Sequence, residues 1–146
     1  MHRLVSDMER AFFLLDRGHA FNGCTILSLR GPLSEPLLLA AMRRLEARHP
    51  LMRIRVEQTR PKDDRQLRLT DVGAGPMPLS VVPRVSDSSW QDVAMAELNT
   101  RFPPDSDHLN RLIWVRGQTQ SELLIVNHHV LVDALSAAYA MRDLVE

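Results

Sequence analysis

Leu123-Leu124-Ile125-Val126-Asn127-His128-His129-Val130-Leu131-Val132-Asp133-Ala134 is the stretch on which the reading of the whole chain turns. Its apolar run, Leu123 to Val126, leads straight into two histidines, and Asp133 follows the second histidine by four residues. A short apolar run of this kind predicts a buried strand. Histidine is the side chain whose ordinary pKa lies near neutrality, so it can take and return a proton under working conditions. A strand that delivers histidines at its end, with a carboxylate close behind, has the makings of a general-base site. The chain ends soon afterwards at Glu146, so whatever else the site needs is expected from another chain or from further sequence.

Working outward, Leu112 to Val115 is a second apolar strand, joined to the first by the polar Gly117 to Ser121. A final helix is expected from about Leu131, with Leu135, Ala138 and Val145 on its apolar face. Near the start, Ser6-Asp7 followed by Glu9 and Phe12-Phe13-Leu14-Leu15 reads as a capped short helix. Cys24 to Leu29 alternates like a strand, and Gly31-Pro32 breaks it. Ser34 suits an N-cap, with Glu35 and Pro36 in the first turn and Leu38, Ala41, Met42 and Leu45 on one face. His49-Pro50 ends that helix.

Leu51 to Glu57 reads as a strand and Gln66 to Thr70 as its hairpin partner, with Arg60 to Arg65 as a charged turn. Gly73 to Pro78 is a loop and Leu79 to Val82 a short strand. Ser86 to Ser89 caps another helix, with Trp90, Val93, Ala94 and Leu98 inward, and Phe102-Pro103-Pro104 stops it. Hairpins mixed with crossovers predict an α/β (α+β) two-layer sandwich: a mixed β-sheet with helices on one face.

The 146 residues suit one domain with a real core. A formal net charge of zero argues against a nucleic-acid or anionic-membrane partner. Lys62 is the only lysine, which reads as codon bias. Cys24 stands alone, so no internal disulfide forms. No stretch approaches bilayer length, and Met1 to Asp7 lacks the apolar segment of a secretory signal. A cytoplasmic location is the expectation.

Four blocks in order carry a family resemblance. His128-His129-Val130-Leu131-Val132-Asp133-Ala134 resembles the HHxxxDG signature of the condensation-domain and CoA-dependent acyltransferase superfamily. Leu4 to Leu15 is similar to the family's opening segment, and Arg30-Gly31-Pro32-Leu33 through Arg48-His49-Pro50-Leu51-Met52-Arg53 to its "G-x-L … RHPxLR" block. His108-Leu109-Asn110-Arg111-Leu112 resembles the "PLxR" that opens the strand before the motif.

The resemblance implies a chloramphenicol acetyltransferase-like fold of two similar lobes with a tunnel between them. Residues 1–146 match the N-terminal lobe alone, so the C-terminal lobe is expected to be absent and the isolated chain inactive. The implied reaction moves an acyl group from a thioester, on coenzyme A or on the phosphopantetheine of a carrier protein, to an alcohol or amine. These thioesters are co-substrates; no permanently bound cofactor is implied. His129 would accept the nucleophile's proton, or position it and stabilise the tetrahedral intermediate. His128 would be structural, its ring turned to the other side of the strand end. Asp133 would pair with Arg111 and shape the motif loop. Ala134 departs from the family's glycine; its extra methyl implies a narrower entrance or a different acceptor. The opening and the "RGPL" block lean toward the free-standing mycocerosyl-transferase-like type, with a place in polyketide, nonribosomal peptide or lipid biosynthesis.

Other readings stay open beside this one. His129 and Asp133 at i, i+4 could share a metal, but no third ligand sits at a known spacing, so no metal is assigned. The histidines could be a packed strand end. The chain could also be a non-catalytic half-domain that binds a partner or carrier protein, or two copies could pair and rebuild a tunnel. Trp90, Trp114, Phe12 and Phe13 read as core. Cys24 reads as a small buried apolar residue, and His49 as a helix terminator without a catalytic role.

Overall fold

Alternation along Leu112–Val115 and Leu123–Val126 sends successive side chains to opposite faces of a sheet, and both faces turn out to be covered. The computed structural model describes residues 2–58, 66–71, 75–103, 106–131 and 133–146. In chain order the elements are β1 (His2–Leu4), α1 (Asp7–Leu15), β2 (Asn22–Arg30), α2 (Glu35–Arg48), β3 (Ile54–Gln58), β4 (Leu67–Asp71), β5 (Leu79–Pro83), α3 (Ser89–Leu98), β6 (Asn110–Arg116), β7 (Gln120–His128) and α4 (Ala134–Val145). A 3₁₀ turn, Pro50–Arg53, fills the start of what the sequence suggested was a longer strand.

The expected α/β class and mixed sheet hold. The larger sheet runs β2-β7-β6-β5, with β5 parallel to β6 and the other pairs antiparallel. The structure adds a second sheet, β1-β4-β3, in which the anticipated β3–β4 hairpin also receives the short β1. The expected charged turn at Arg60 to Arg65 lies outside the described residues, as do Gly73 and Ala74 of the loop before β5.

One face of the larger sheet carries Leu112, Trp114, Leu123 and Ile125, packed on Leu38, Met42 and Leu45 of α2 and on Ala140, Met141 and Leu144 of α4. The other face carries Ile113, Val115, Leu124 and Val126, packed on Ala94 of α3 and on Ile54, Leu67 and Leu69 of the smaller sheet. Helices therefore lie on both sides, with α3 opposite α2 and α4. Packing, not capping, holds α2, because Ser34 makes no side-chain cap bond. Each fully buried Leu or Met contributes about 1.5–3 kcal/mol, against about 1 kcal/mol for a cap.

In α1 the cap does form. Ser6 accepts from the Glu9 N–H at 3.3 Å, and the Glu9 carboxylate accepts from the Ser6 N–H at 2.6 Å. The Arg3 guanidinium joins it at 2.5 and 2.8 Å and, with the Ser6 N–H, holds the Glu9 carboxyl down to about 2. In α3 the expected serine cluster works differently: Ser89 Oγ accepts from the Val85 and Ser86 N–H groups.

Two glycines mark chain reversals. Gly31 has φ of 100°, which a side chain would strain. A Cβ on Gly117 would stand 2.2 Å from the Gln120 carbonyl oxygen, so the β6–β7 turn closes only over glycine.

The last helix departs from expectation. It starts at Ala134, and Leu135 and Val145 are 63% and 51% exposed while Ala138 is exposed too. Ala137, Ala140, Met141 and Leu144 face inward instead. Its C-terminal end is fastened to α2 by buried Asp143, which accepts from His49 Nε2 at 2.8 Å and pairs with Arg142 (2.7 Å) and Arg48 (3.1 Å). His49, expected only to terminate α2, thus also ties α2 to α4.

Candidate active site

Strand β7 hydrogen-bonds to β2 through to its last residue, with Asn22 opposite His128. The His129 N–H donates to the Phe21 carbonyl at 3.0 Å, so the ladder's line continues into the first motif turn. That turn closes with the Leu131 N–H donating to the His128 carbonyl at 3.0 Å. Val132 lies outside the described residues.

The two histidine rings meet different surroundings. His128 is 1% exposed. Its ring packs beside Phe13 and Phe102, with centroids 6.2 and 6.4 Å apart. Its Nδ1 accepts from the Val130 N–H at 3.0 Å, so in the neutral ring the proton sits on Nε2. Nε2 stands 3.7 Å from Asp16 Oδ1, beyond hydrogen-bond distance, and has no hydrogen-bond partner among the described residues. Burial pushes the His128 pKa below its usual 6.5, against the opposing pull of Asp16 and with help from His129 and Arg101. Both nitrogens are buried, Nδ1 is committed to backbone, and His128 lines a pocket of about 140 Å³ with Asp16, Arg17, Arg101 and Phe102.

His129 is half-buried. Phe21 and Phe12 stand beside its ring, with centroids at 5.0 and 6.0 Å, and they lie 5.2 Å from each other. Gly23 of β2 lies under the ring's Nε2–Cε1 edge. The aromatic residues that the sequence suggested were core thus serve the histidines: Phe12 beside His129 and Phe13 beside His128.

The expected partnership between Arg111 and Asp133 is not formed. Asp133 is exposed and acts as the N-cap of α4, accepting from the Ser136 N–H at 2.7 Å. That backbone N–H is the main reason its carboxyl is held below the usual range. Arg111 turns the other way, to the C-terminal end of α3. It pairs with the Glu97 carboxylate and donates to the carbonyls of Glu97 (3.1 Å) and Thr100 (2.8 Å), with its guanidinium 4.3 Å from the Phe102 ring centroid. A cation on helix-end carbonyls is favoured by the helix dipole as well as by its ion pair. Asn22 Nδ2 donates to the same two carbonyls. The family resemblance suggested Asp133; the fold instead brings Arg111 to the end of α3.

Ala134 is the first residue of α4. A helical position demands no left-handed torsion, so the backbone at position 134 does not require glycine. Cys24 is half-buried, and burial, followed by the charge of Glu97, raises its thiol to about 11, so it is no nucleophile near neutrality.

Sequence reasoning missed Asp16, Phe21, Gly23 and Glu97 as parts of this region. Asp16 accepts from the Phe21 N–H at 2.8 Å and from Arg101 at 3.3 Å, anchoring the chain between α1 and β2. None of the four belongs to a motif or a periodic face, so only the fold brings them to the histidines.

Among the described residues no group of three or more His, Cys, Asp or Glu is placed to hold a metal ion, and no helix is long and apolar enough to cross a membrane.

No protein-family model matches the chain, and no curated protein matches it in sequence. Solved structures do match. The condensation domain from the monacolin K polyketide synthase superposes with a TM-score of 0.83 at 15% identity, covering 99% of this chain and 33% of that one. The first condensation domain of the CDA synthetase gives 0.83 at 15%, covering 100% and 40%. The X-domain from teicoplanin biosynthesis gives 0.81 at 24%, covering 97% and 31%. The chain therefore has the condensation-domain fold and spans about a third of the length of these chains.

Proposed function

We propose that this chain is the histidine-bearing lobe of an acyltransferase of the condensation type, with His129 as general base. The observation that carries the reading is the contrast at the end of β7: His128 is shut in and bonded to backbone, while His129 is half-exposed and flanked by aromatic rings. The shared fold supports the same assignment.

In this reaction an alcohol or amine attacks the carbonyl of a thioester. His129 takes the nucleophile's proton as the new C–O or C–N bond forms, and returns it to the sulfur as the C–S bond breaks. The thioester arrives on coenzyme A or on a carrier protein's phosphopantetheine, and the free-standing mycocerosyl-transferase-like type is the branch proposed. Arg111 and Asp133 are supports: one ties β6 to the end of α3, the other starts α4. A second lobe, from further sequence or a second copy, supplies the opposite wall of the tunnel. The exposed Leu135, Tyr139 and Val145 of α4 favour such a cover, and they equally suit a half-domain that only binds a partner or carrier protein.

Acyl transfer by the full-length protein, assayed with acyl-CoA and with acyl-carrier protein, tests the proposal. Thiol release that requires an alcohol or amine and disappears in His129→Ala supports it. Transfer that survives His129→Ala, or none from the wild type with either donor, refutes it and leaves the partner-binding reading.

A further inference from the structure

Gly23 sits on β2 directly across from the histidine-bearing turn, with Asn127 opposite it in the ladder. A Cβ built there would stand 3.8 Å from both Nε2 and Cε1 of His129. That is ordinary van der Waals contact, so nothing in the backbone demands glycine; β2 runs as a strand through this position. What the missing side chain leaves is space at one edge of the imidazole, the edge that bears Nε2. Phe21 and Phe12 stand 5.0 and 6.0 Å from the ring centroid, and the His129 N–H is tied to the Phe21 carbonyl.

We infer that Gly23 determines access to His129 Nε2, leaving the β2 side of the ring open to the nucleophile while Phe21 positions the ring. This rests on reading His129 as the proton acceptor. A donor must come within about 2.6–3.2 Å of the accepting nitrogen. A methyl carbon in contact with Nε2 occupies part of that approach, and the branched side chain of valine, restricted in its rotamers, covers more of it. Size at position 23 therefore selects among acceptors: alanine disfavours bulky alcohols and amines first, and valine excludes small ones too. Valine is at home in strands, so the substitution blocks the edge without working against the local fold.

The test is the rate at which diethyl pyrocarbonate modifies each histidine in the full-length protein, read by peptide mass spectrometry. Exposed His19 serves as the internal reference. His129 should react readily in the wild type, more slowly in Gly23→Ala and severalfold more slowly in Gly23→Val, with His19 unchanged. Phe21→Leu should lower kcat with little change in KM, and Phe21→Tyr should restore it. Circular dichroism checks that each variant is folded; should Gly23→Val fail to fold, Gly23→Ala carries the test. An unreactive wild-type His129, or an unchanged His129 rate in folded Gly23 variants, overturns the inference. Reactivity that follows residue size at position 23 without any acyl transfer sustains the access role and refutes the acyltransferase reading alone.

Discussion

His128 and His129 are neighbours in sequence, yet they occupy different physical worlds. One ring is 1% exposed, gives Nδ1 to a backbone N–H and packs against Phe13 and Phe102. The other is half-exposed beside Phe12 and Phe21, over a glycine. The difference shows how a strand end divides labour. The last ladder residue sends its ring into the core and fixes the turn, and the next residue, anchored through its N–H to Phe21, presents its ring at the rim. Identical side chains thus receive different surroundings: one is sealed as a prop, and the other is the reactive group in the function proposed.

The sharpest way to break this comparison is to remove each ring in turn. His129→Ala should cut transfer by about 10²–10⁴-fold, the usual worth of a general base, with little change in melting temperature. His128→Ala should act on stability instead. It strands the buried Val130 N–H at about 1–3 kcal/mol and adds the cost of a cavity. Urea unfolding measures that loss; equal stability losses in the two variants would erase the distinction.

Next in size is Arg111→Ala. Its loss of charged hydrogen bonds to the end of α3 should cost about 1.5–3 kcal/mol in urea unfolding. Because Arg111 and Asp133 serve different helices, Asp133→Ala should add to it within about 0.5 kcal/mol. A larger coupling energy would restore the pair that the sequence suggested.

The prop should also make the protein acid-sensitive. His128 has a folded pKa below its unfolded value of 6.5. Above 6.5 the ring is neutral in both states and the fold has its full stability. As pH falls below 6.5 the unfolded chain takes up the proton first, so stability declines until the folded pKa is reached. Urea midpoints at about pH 7.5 and about pH 5.5 should differ, and His128→Phe should flatten that difference.

The smallest effect belongs to Glu9, far from the comparison. Its carboxyl is depressed from 4.5 to about 2, so its contribution is present above pH 4.5 and fades as pH falls toward 2. Glu9→Gln should remove that segment of the pH profile, only slightly, because the pair with Arg3 is partly solvated.

Local chemistry made much of this legible in advance. The Ser6–Glu9 capping box, the apolar face of α2 and the β6–β7 hairpin each rest on residues within a few positions of one another. The face of α4 was misjudged because the helix carries apolar residues all round. Leu135 and Val145 are as apolar as Met141 and Leu144, and only packing on α2 and β2 separates them. The three-residue β1 was missed because its pairing with β4 joins His2 to Thr70, a partner no local pattern announces.

The candidate site divides along the same line. The sequence by itself determined the apolar strand that leads into two histidines, a helix near the end of the chain and the class of fold, because periodicity is short-range. Which histidine is sealed, that Arg111 reaches Glu97 and not Asp133, and that Gly23 lies under His129 were decided only by tertiary structure. Each depends on pairing β2 with β7 and on docking α3 across the sheet, which bring together groups far apart in the chain, such as Gly23 and His129, 106 positions apart. Contacts of that separation are set by the summed packing of the whole core, and no single segment encodes them.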